Sequence, residues 1–394
     1  MLSKAIPTQV SLAKFLSLTL TALVVLLTIS LASADDAAKA ESRPPQRLLA
    51  YYPDWAKYQT PPYTAEKIPY NKVSHILEAF LLLKDNKGNL YIEPGLLEPA
   101  LNKKAHAAGV KVIISIGGAD PVQANRFAKI AASDAARRTF AANIHAFLDK
   151  YKYDGVDIDW EVPNAPQDTL PCILLMEALR FELLAPQYLI SMAVPSDPPS
   201  YGTGFDIPAL VPFVDFFNVM TYDFHGPWSD HAGHNSPLIL SPDDPEQEGS
   251  VRASMDLYEK QYGVDRTMLN MGTAFYGYEF DSVNALWQYC PKLDCSSASS
   301  WNYGTYIKQR VNQMGWKRHY DPIARAPYLL QEGSDASLGY MTYDDAASTA
   351  RKAQYVLGGR KFGGVFMWDL SADYDGQSQD LLDAMYGVFV HYNP

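Results

Sequence analysis

The chain has 394 residues, 47% of them hydrophobic, with 33 Lys and Arg against 44 Asp and Glu and a formal net charge of −11. That is enough apolar material for one large domain or two average ones. The basic surface that would neutralise phosphates is missing, which excludes nucleic acid as a partner.

Lys4 and Lys14 flank the start of an apolar stretch over residues 15–31, and Ala32-Ser33-Ala34 puts small residues before Asp35. This reads as a secretory signal over 1–34 that is cleaved. The stretch is broken by Ser and Thr and falls short of the roughly 20 residues a membrane span needs. A secreted, extracellular protein is expected, with no stable membrane association after signal removal. Residues 35–46 are a polar, Pro-containing linker.

Apolar β-rich runs then recur at 48–52, 73–83, 110–116, 155–160, 188–194, 214–222, 267–275 and 363–368. Several are continuous rather than alternating, as parallel strands covered on both faces should be. Amphipathic segments at 96–108, 121–151, 168–184, 250–262 and 345–358 separate many of them. Eight strands alternating with helices predict a parallel (β/α)8 TIM barrel of the α/β class. About sixty residues between Tyr278 and Tyr340 are too many for a simple connection, and loops of that length are functional or form small subdomains. Cys290 and Cys295 lie in it, at a spacing that allows a small disulfide in an oxidising compartment. Cys172, in an apolar helical stretch, reads as a buried thiol. No cysteine pair has zinc-like spacing.

The most informative segment is 154–163, Asp-Gly-Val-Asp-Ile-Asp-Trp-Glu-Val-Pro. Asp157, Asp159 and Glu161 are two apart, so on a strand they share one face with roughly 6.6 Å between successive residues. Buried like charges raise one another's pKa, so such a run is costly unless chemistry needs it. A solvated acidic loop, as at a calcium site, is the alternative. The interleaved Val156, Ile158 and Trp160 argue against it.

This run resembles the D-x-x-D-x-D-x-E signature of family 18 glycoside hydrolases, the chitinases, with Asp154, Asp157, Asp159 and Glu161 in the acidic positions. Ser115-Ile116-Gly117-Gly118, Met220-Thr221-Tyr222-Asp223, Phe275-Tyr276-Gly277 and Met367-Trp368-Asp369 fall at the expected ends of strands three, six, seven and eight. The resemblance spans roughly 47–390. It implies a barrel over 47–277 and 341–394, with a small α+β insertion over 278–340 between strands seven and eight. No further domain is expected after the barrel. Two departures stand out: Ala119 follows the Gly-Gly pair where many members have Trp, and Val162 follows the glutamate where many have an aromatic residue.

The resemblance also implies substrate-assisted chemistry, one of the exceptions to the two-carboxylate scheme. Glu161 would protonate the glycosidic oxygen, and the sugar's 2-acetamido carbonyl would attack its own anomeric carbon. Asp159 would orient the acetamido group, and Asp157, one step deeper, would share a proton with it while their field keeps Glu161 protonated. Tyr222 would bond the acetamido carbonyl, with Asp223 nearby, and Trp368 would floor the sugar. Gly117, Gly118, Met220, Tyr276, Tyr52 and Phe80 complete the expected substrate-binding set. Chitin and chito-oligosaccharides are the implied partners of a monomer with no cofactor and no metal. Asp154 is expected to satisfy backbone donors at the strand's start. Glu78 is left as either a substrate contact or an end-of-barrel residue.

Two other clusters read as unremarkable. His225, His231 and His234 sit beside Trp228 without a helical or zinc-finger frame, and no carboxylate motif completes them; they are expected to be hydrogen-bonding loop histidines. Asp243, Asp244, Glu246 and Glu248 read as a solvated acidic loop. Two functions compete with the chitinase. One is an endo-β-N-acetylglucosaminidase acting on N-glycans, whose loops are often shorter. The other is a chitin-binding lectin, in which the Glu161 position is typically replaced.

Overall fold

The computed structural model describes residues 46–393 apart from 162, 164–165, 199, 201, 282, 291–298 and 333–338. The signal segment 1–34, the linker up to residue 45, Val162 and Cys295 therefore lie outside the described residues.

Eight strands form the centre: β1 (Arg47–Pro53), β2 (His75–Leu83), β3 (Lys111–Gly118), β4 (Gly155–Trp160), β5 (Leu189–Pro195), β6 (Phe216–Met220), β7 (Leu269–Ala274) and β8 (Gly364–Trp368). They pair in the order β1-β8-β7-β6-β5-β4-β3-β2 and close through β1–β2, every pair parallel. This is a (β/α)8 barrel. Strands β1 and β4 are buried at every position, which is why residues 48–53 of β1 run apolar without alternation. Helices including Pro121–Ala131, Asp134–Tyr151, Thr169–Glu182 and Asp380–Tyr392 surround the strands. The segment expected as one helix over 121–151 is two, because the Ser133 side chain caps a new helix by accepting from the Ala136 amide.

Strand alternation sorts the side chains into two cores. Leu49, Tyr51, Leu77, Ile113 and Phe366 belong to the inner one, whereas Leu48, Ala50, Tyr52 and Ile76 join the layer shared with the helices. This corrects the expectation for Tyr52. It is fully buried on the outer face, where its hydroxyl donates to the Tyr63 carbonyl and to Glu98. Tyr51 takes the inward place, because neighbours on a strand point to opposite sides. Glu78 is likewise outside the cleft, buried and accepting from the Tyr153 hydroxyl. Asp154 bonds the Val112 amide and pairs with Lys111 and His106 at the start of β4.

Between β7 and β8 runs a five-stranded antiparallel sheet ordered Ser299–Asn302, Tyr276–Phe280, Tyr340–Thr342, Ala326–Gln331, Trp316–Asp321. Cys290 is buried and disulfide-bonded, and Cys172 is a buried free thiol. Residues 221–249, after β6, contain neither helix nor strand beyond a single bridge at His231. Among the described residues no helix is long and apolar enough to cross a membrane.

Candidate active site

A cleft of about 650 Å³ opens at the C-terminal ends of the strands, where barrel enzymes carry their chemistry. Its walls include Tyr51, Trp55, Phe80, Gly117, Gly118, Ala119, Asp159, Glu161, Met220, Tyr222, Asp223, Phe224, Trp228, Tyr276 and Trp368. Every expected site residue lines it except Tyr52, which faces outward, and Asp157, which lies beneath it.

Asp157 is held from four sides. Its carboxylate accepts from Tyr51 Oη at 2.9 Å, Ser115 Oγ at 2.8 Å, Ser191 Oγ at 2.6 Å and Asn218 Nδ2 at 3.2 Å. Asn270 fixes Asn218 in turn, and Arg47 fixes Asn270. Burial raises the Asp157 pKa and those hydrogen bonds hold it back. With its oxygens engaged this way, Asp157 is held in one orientation beneath the cleft.

Asp159 is different. It is buried, and its Oδ1 has no hydrogen-bond partner. Burial first, then the charges of Glu161 and Asp157, push its pKa well above the ordinary carboxylate range. Glu161 follows the end of β4 and is pushed up to about 7 by burial and by Asp223. Asp223, from the segment after β6, thus adds to the effect of burial on Glu161, while Glu161 and Asp159 act on each other.

Asp223 has φ 61, a left-handed conformation that Asp tolerates. Its amide donates to Asn235 Oδ1 at 2.8 Å, and its carboxylate accepts from Tyr276 and, at 2.8 Å, from Tyr278. Burial raises its pKa and the two tyrosines oppose the rise. The Tyr222 hydroxyl, buried among Asp223, Asp159 and Glu161, is held well above its ordinary pKa by burial and by those charges, and so remains a proton donor.

The floor is aromatic. Trp368 stacks on Phe80 with ring centroids 5.6 Å apart and meets Tyr51 edge-on at 5.5 Å. Trp55 and Trp228 are 41% and 43% exposed at the rim, so their faces are open to a ligand. Gly117 explains its own residue type: at φ +119, an added Cβ would stand 2.1 Å from the Asp159 carbonyl oxygen.

Sequence reasoning missed Tyr51, Ser115, Ser191, Asn218 and Tyr278 as supports, and Trp55 and Trp228 as rim residues. Ser115 was reachable by counting two along the strand from Gly117. Nothing local marks the others. The histidines are hydrogen-bonded loop residues and Asp243 and Glu246 are exposed, as expected, but Asp244 needs correction. Asp244 is buried, not solvated, and lies against His225 and His231, so a carboxylate does complete that cluster.

A buried acceptor beneath a carboxyl whose pKa is raised toward neutrality, in an aromatic-walled cleft at the strand ends of a barrel, is an arrangement suited to acid chemistry on glycosidic bonds. The sequence profile of the Glycosyl hydrolases family 18 matches residues 47–373, and the chain belongs to that family. It is 28% identical to Chitinase A1 of Niallia circulans, over 88% of this chain and 59% of that protein. To the oviduct-specific glycoprotein of Mesocricetus auratus it is 30% identical, over 83% of this chain and 50% of the other. The chain thus spans little more than half the length of these relatives. Catalytic domain 2 of the Ostrinia furnacalis Group II chitinase, solved as a mutant in complex with penta-N-acetylchitooctaose, superimposes with a TM-score of 0.78 at 26% identity. That match covers 88% of this chain and 97% of the other.

Proposed function

We propose that the chain is a chitinase, hydrolysing β-1,4 bonds between N-acetylglucosamine units with retention and using the substrate's acetamido group as nucleophile. The observation that carries this is the bare Oδ1 of Asp159, a buried acceptor in the wall of the cleft. Such an atom is costly unless a ligand supplies a donor, and an acetamido N–H is a donor of fixed direction. With that N–H on Asp159, the acetamido carbonyl meets the Tyr222 hydroxyl and stands beneath the anomeric carbon. Glu161 gives its proton to the glycosidic oxygen as that carbon–oxygen bond breaks and the carbonyl oxygen bonds to the anomeric carbon. The positive charge of the resulting oxazolinium favours ionised Asp159, reversing the electrostatics that disfavour it in the free enzyme. Water then opens the ring, its proton returns to Glu161, and the β configuration is kept.

The chitinases among the relatives support the substrate class, as does the chito-oligosaccharide bound to the Ostrinia furnacalis domain. Secretion after removal of residues 1–34 is part of the same proposal, and N-terminal sequencing of exported protein should begin at Asp35. The deciding experiment compares N-acetylglucosamine oligomers with their deacetylated counterparts, following the fresh product by proton NMR. Acetylated oligomers should give the β anomer first, and deacetylated ones should bind but cleave extremely slowly. An α product, or equal rates on both, would make Asp159 a base or nucleophile and end the proposal.

A further inference from the structure

Beyond the cleft, the segment after β6 contains a second built site. Among the described residues, His225, His231 and Asp244 are the group of three metal-ligating side chains that converge. They are 0%, 3% and 3% exposed. His225 Nε2 lies 3.0 Å from His231 Nε2, His231 Nε2 lies 3.3 Å from Asp244 Oδ1, and His225 Nε2 lies 3.5 Å from the same oxygen. A tetrahedral zinc ion at its usual distance of ~2.0–2.1 Å from nitrogen and oxygen separates its ligands by about 3.3 Å. The three atoms already stand at the corners of one face of such a site.

Two independent features point the same way. His225 Nδ1 is 3.0 Å from the His234 carbonyl oxygen. A carbonyl can only accept, so Nδ1 carries the proton and Nε2 presents its lone pair to the cluster. A backbone carbonyl orienting a histidine in this way is the usual support behind a metal-ligating imidazole. In addition, Asp244 Oδ2 is buried without a hydrogen-bond partner. A network of hydrogen bonds alone uses the His231 proton toward His225 or Oδ1 and leaves Oδ2 bare, at the cost of an unsatisfied buried acceptor. Gly233 leaves room for the arrangement, since a Cβ there would meet the His225 ring at 2.3 Å.

We propose that His225, His231 and Asp244 bind a divalent transition-metal ion of the zinc type, with Oδ2 or a water in the fourth position. Two imidazoles and a carboxylate are a donor set suited to zinc, not to the oxygen-seeking calcium or magnesium. The ion is structural. Its ligands span most of residues 221–249, a stretch with no helix or strand to hold it, and a clip across such a loop offsets a large closure entropy. The same stretch supplies Tyr222, Asp223, Phe224 and Trp228 to the cleft. It also pairs with the insertion, where the Cys290 amide donates to the Asp230 carbonyl and the Ala232 amide to Gln288. The ion therefore pins a stretch that forms one cleft wall and that is itself bonded to the insertion.

The test uses the tag-free chain, stripped with a chelator and then freed of it. Addition of zinc followed by desalting should leave one zinc per chain by elemental analysis, and Tm should rise by several degrees. Cobalt(II) should give the intense visible bands of a tetrahedral site. His231→Asn should abolish the bound ion, the bands and the Tm rise together. If that variant does not fold, the cobalt spectrum of the unaltered chain decides alone. A folded chain that desalts free of zinc and shows only the hydrated-cobalt spectrum overturns the proposal, as does a variant that retains its zinc.

Discussion

Glu161, the acid of the proposed reaction, has a titration set by its surroundings, and this can be read in a pH profile. Burial and the Asp223 charge raise it from an ordinary 4.5 to about 7. At pH 7 about half the molecules then carry the Glu161 proton that the proposed reaction needs, against roughly one in 300 for an unperturbed carboxyl. Since kcat/KM reports the free enzyme, it should fall tenfold per unit of pH above about 7. Asp223→Asn removes a like charge, so the Glu161 pKa must drop and the limb must move to lower pH. Burial is the larger cause and persists, so about one unit is expected from the charge. That shift reduces the protonated fraction at pH 7 from about a half to about a tenth, roughly fivefold in rate. Asp223 also anchors Tyr276 and Tyr278, and losing those contacts lowers the rate at every pH without moving the limb. Initial rates on a soluble N-acetylglucosamine oligomer, at substrate well below KM and constant ionic strength from pH 5 to 9, separate the two effects. A variant limb that coincides with the wild-type limb, or a wild-type profile flat to pH 9, would refute the assignment of both groups.

Three further outcomes follow from the contacts described. Tyr51→Phe removes one donor to Asp157 and should cost about 1.5–3 kcal/mol of stability in urea titrations, with a loss of kcat larger than any change in KM. Trp368→Ala should weaken oligomer binding by roughly 1–3 kcal/mol in calorimetry with an unchanged far-UV spectrum; an unfolded variant would make Trp368 core. Glu78, raised to about 8 by burial, contributes stability that is fully present below its ordinary 4.5 and lost as pH rises through about 8. Glu78→Gln should therefore gain stability relative to wild type between pH 5 and 9, by denaturant titration at both ends.

What was legible in the sequence was what the chain states locally. The eight strands could be read because each is a β-rich, largely apolar run, several of them continuous, set apart by polar turns. The alternation of Asp157, Asp159 and Glu161 could be read because a strand's period is two. The Tyr51–Tyr52 pair failed for the same reason the strands succeeded. In a run buried on both faces, hydrophobicity does not say which residue points inward. Only pairing with an oriented neighbour decides it, and Tyr51 is inside because its hydroxyl reaches Asp157. The Ser133 cap that splits 121–151 was visible as a serine followed by an acid, but the helical period runs on across it. The cluster of His225, His231 and Asp244 had no such trace, since a loop without periodicity gives no rule for which residues meet.

The same division runs through the chemistry. One strand, β4, carries the acids in an order that any reader of the sequence can see, yet their protonation is decided elsewhere. Asp157 is fixed by Tyr51, Ser115, Ser191 and Asn218, from four other strands. The charge that lifts Glu161 belongs to Asp223, whose own position depends on Asn235 and on tyrosines from the first strand of the inserted sheet. The first strand of the inserted sheet, which brings Tyr276 to the cleft, is thereby also part of the Glu161 electrostatic environment. Exchanging that insertion between relatives should alter pH dependence as well as chain-length preference, because Tyr276 and Tyr278 hold the carboxylate that sets the Glu161 proton.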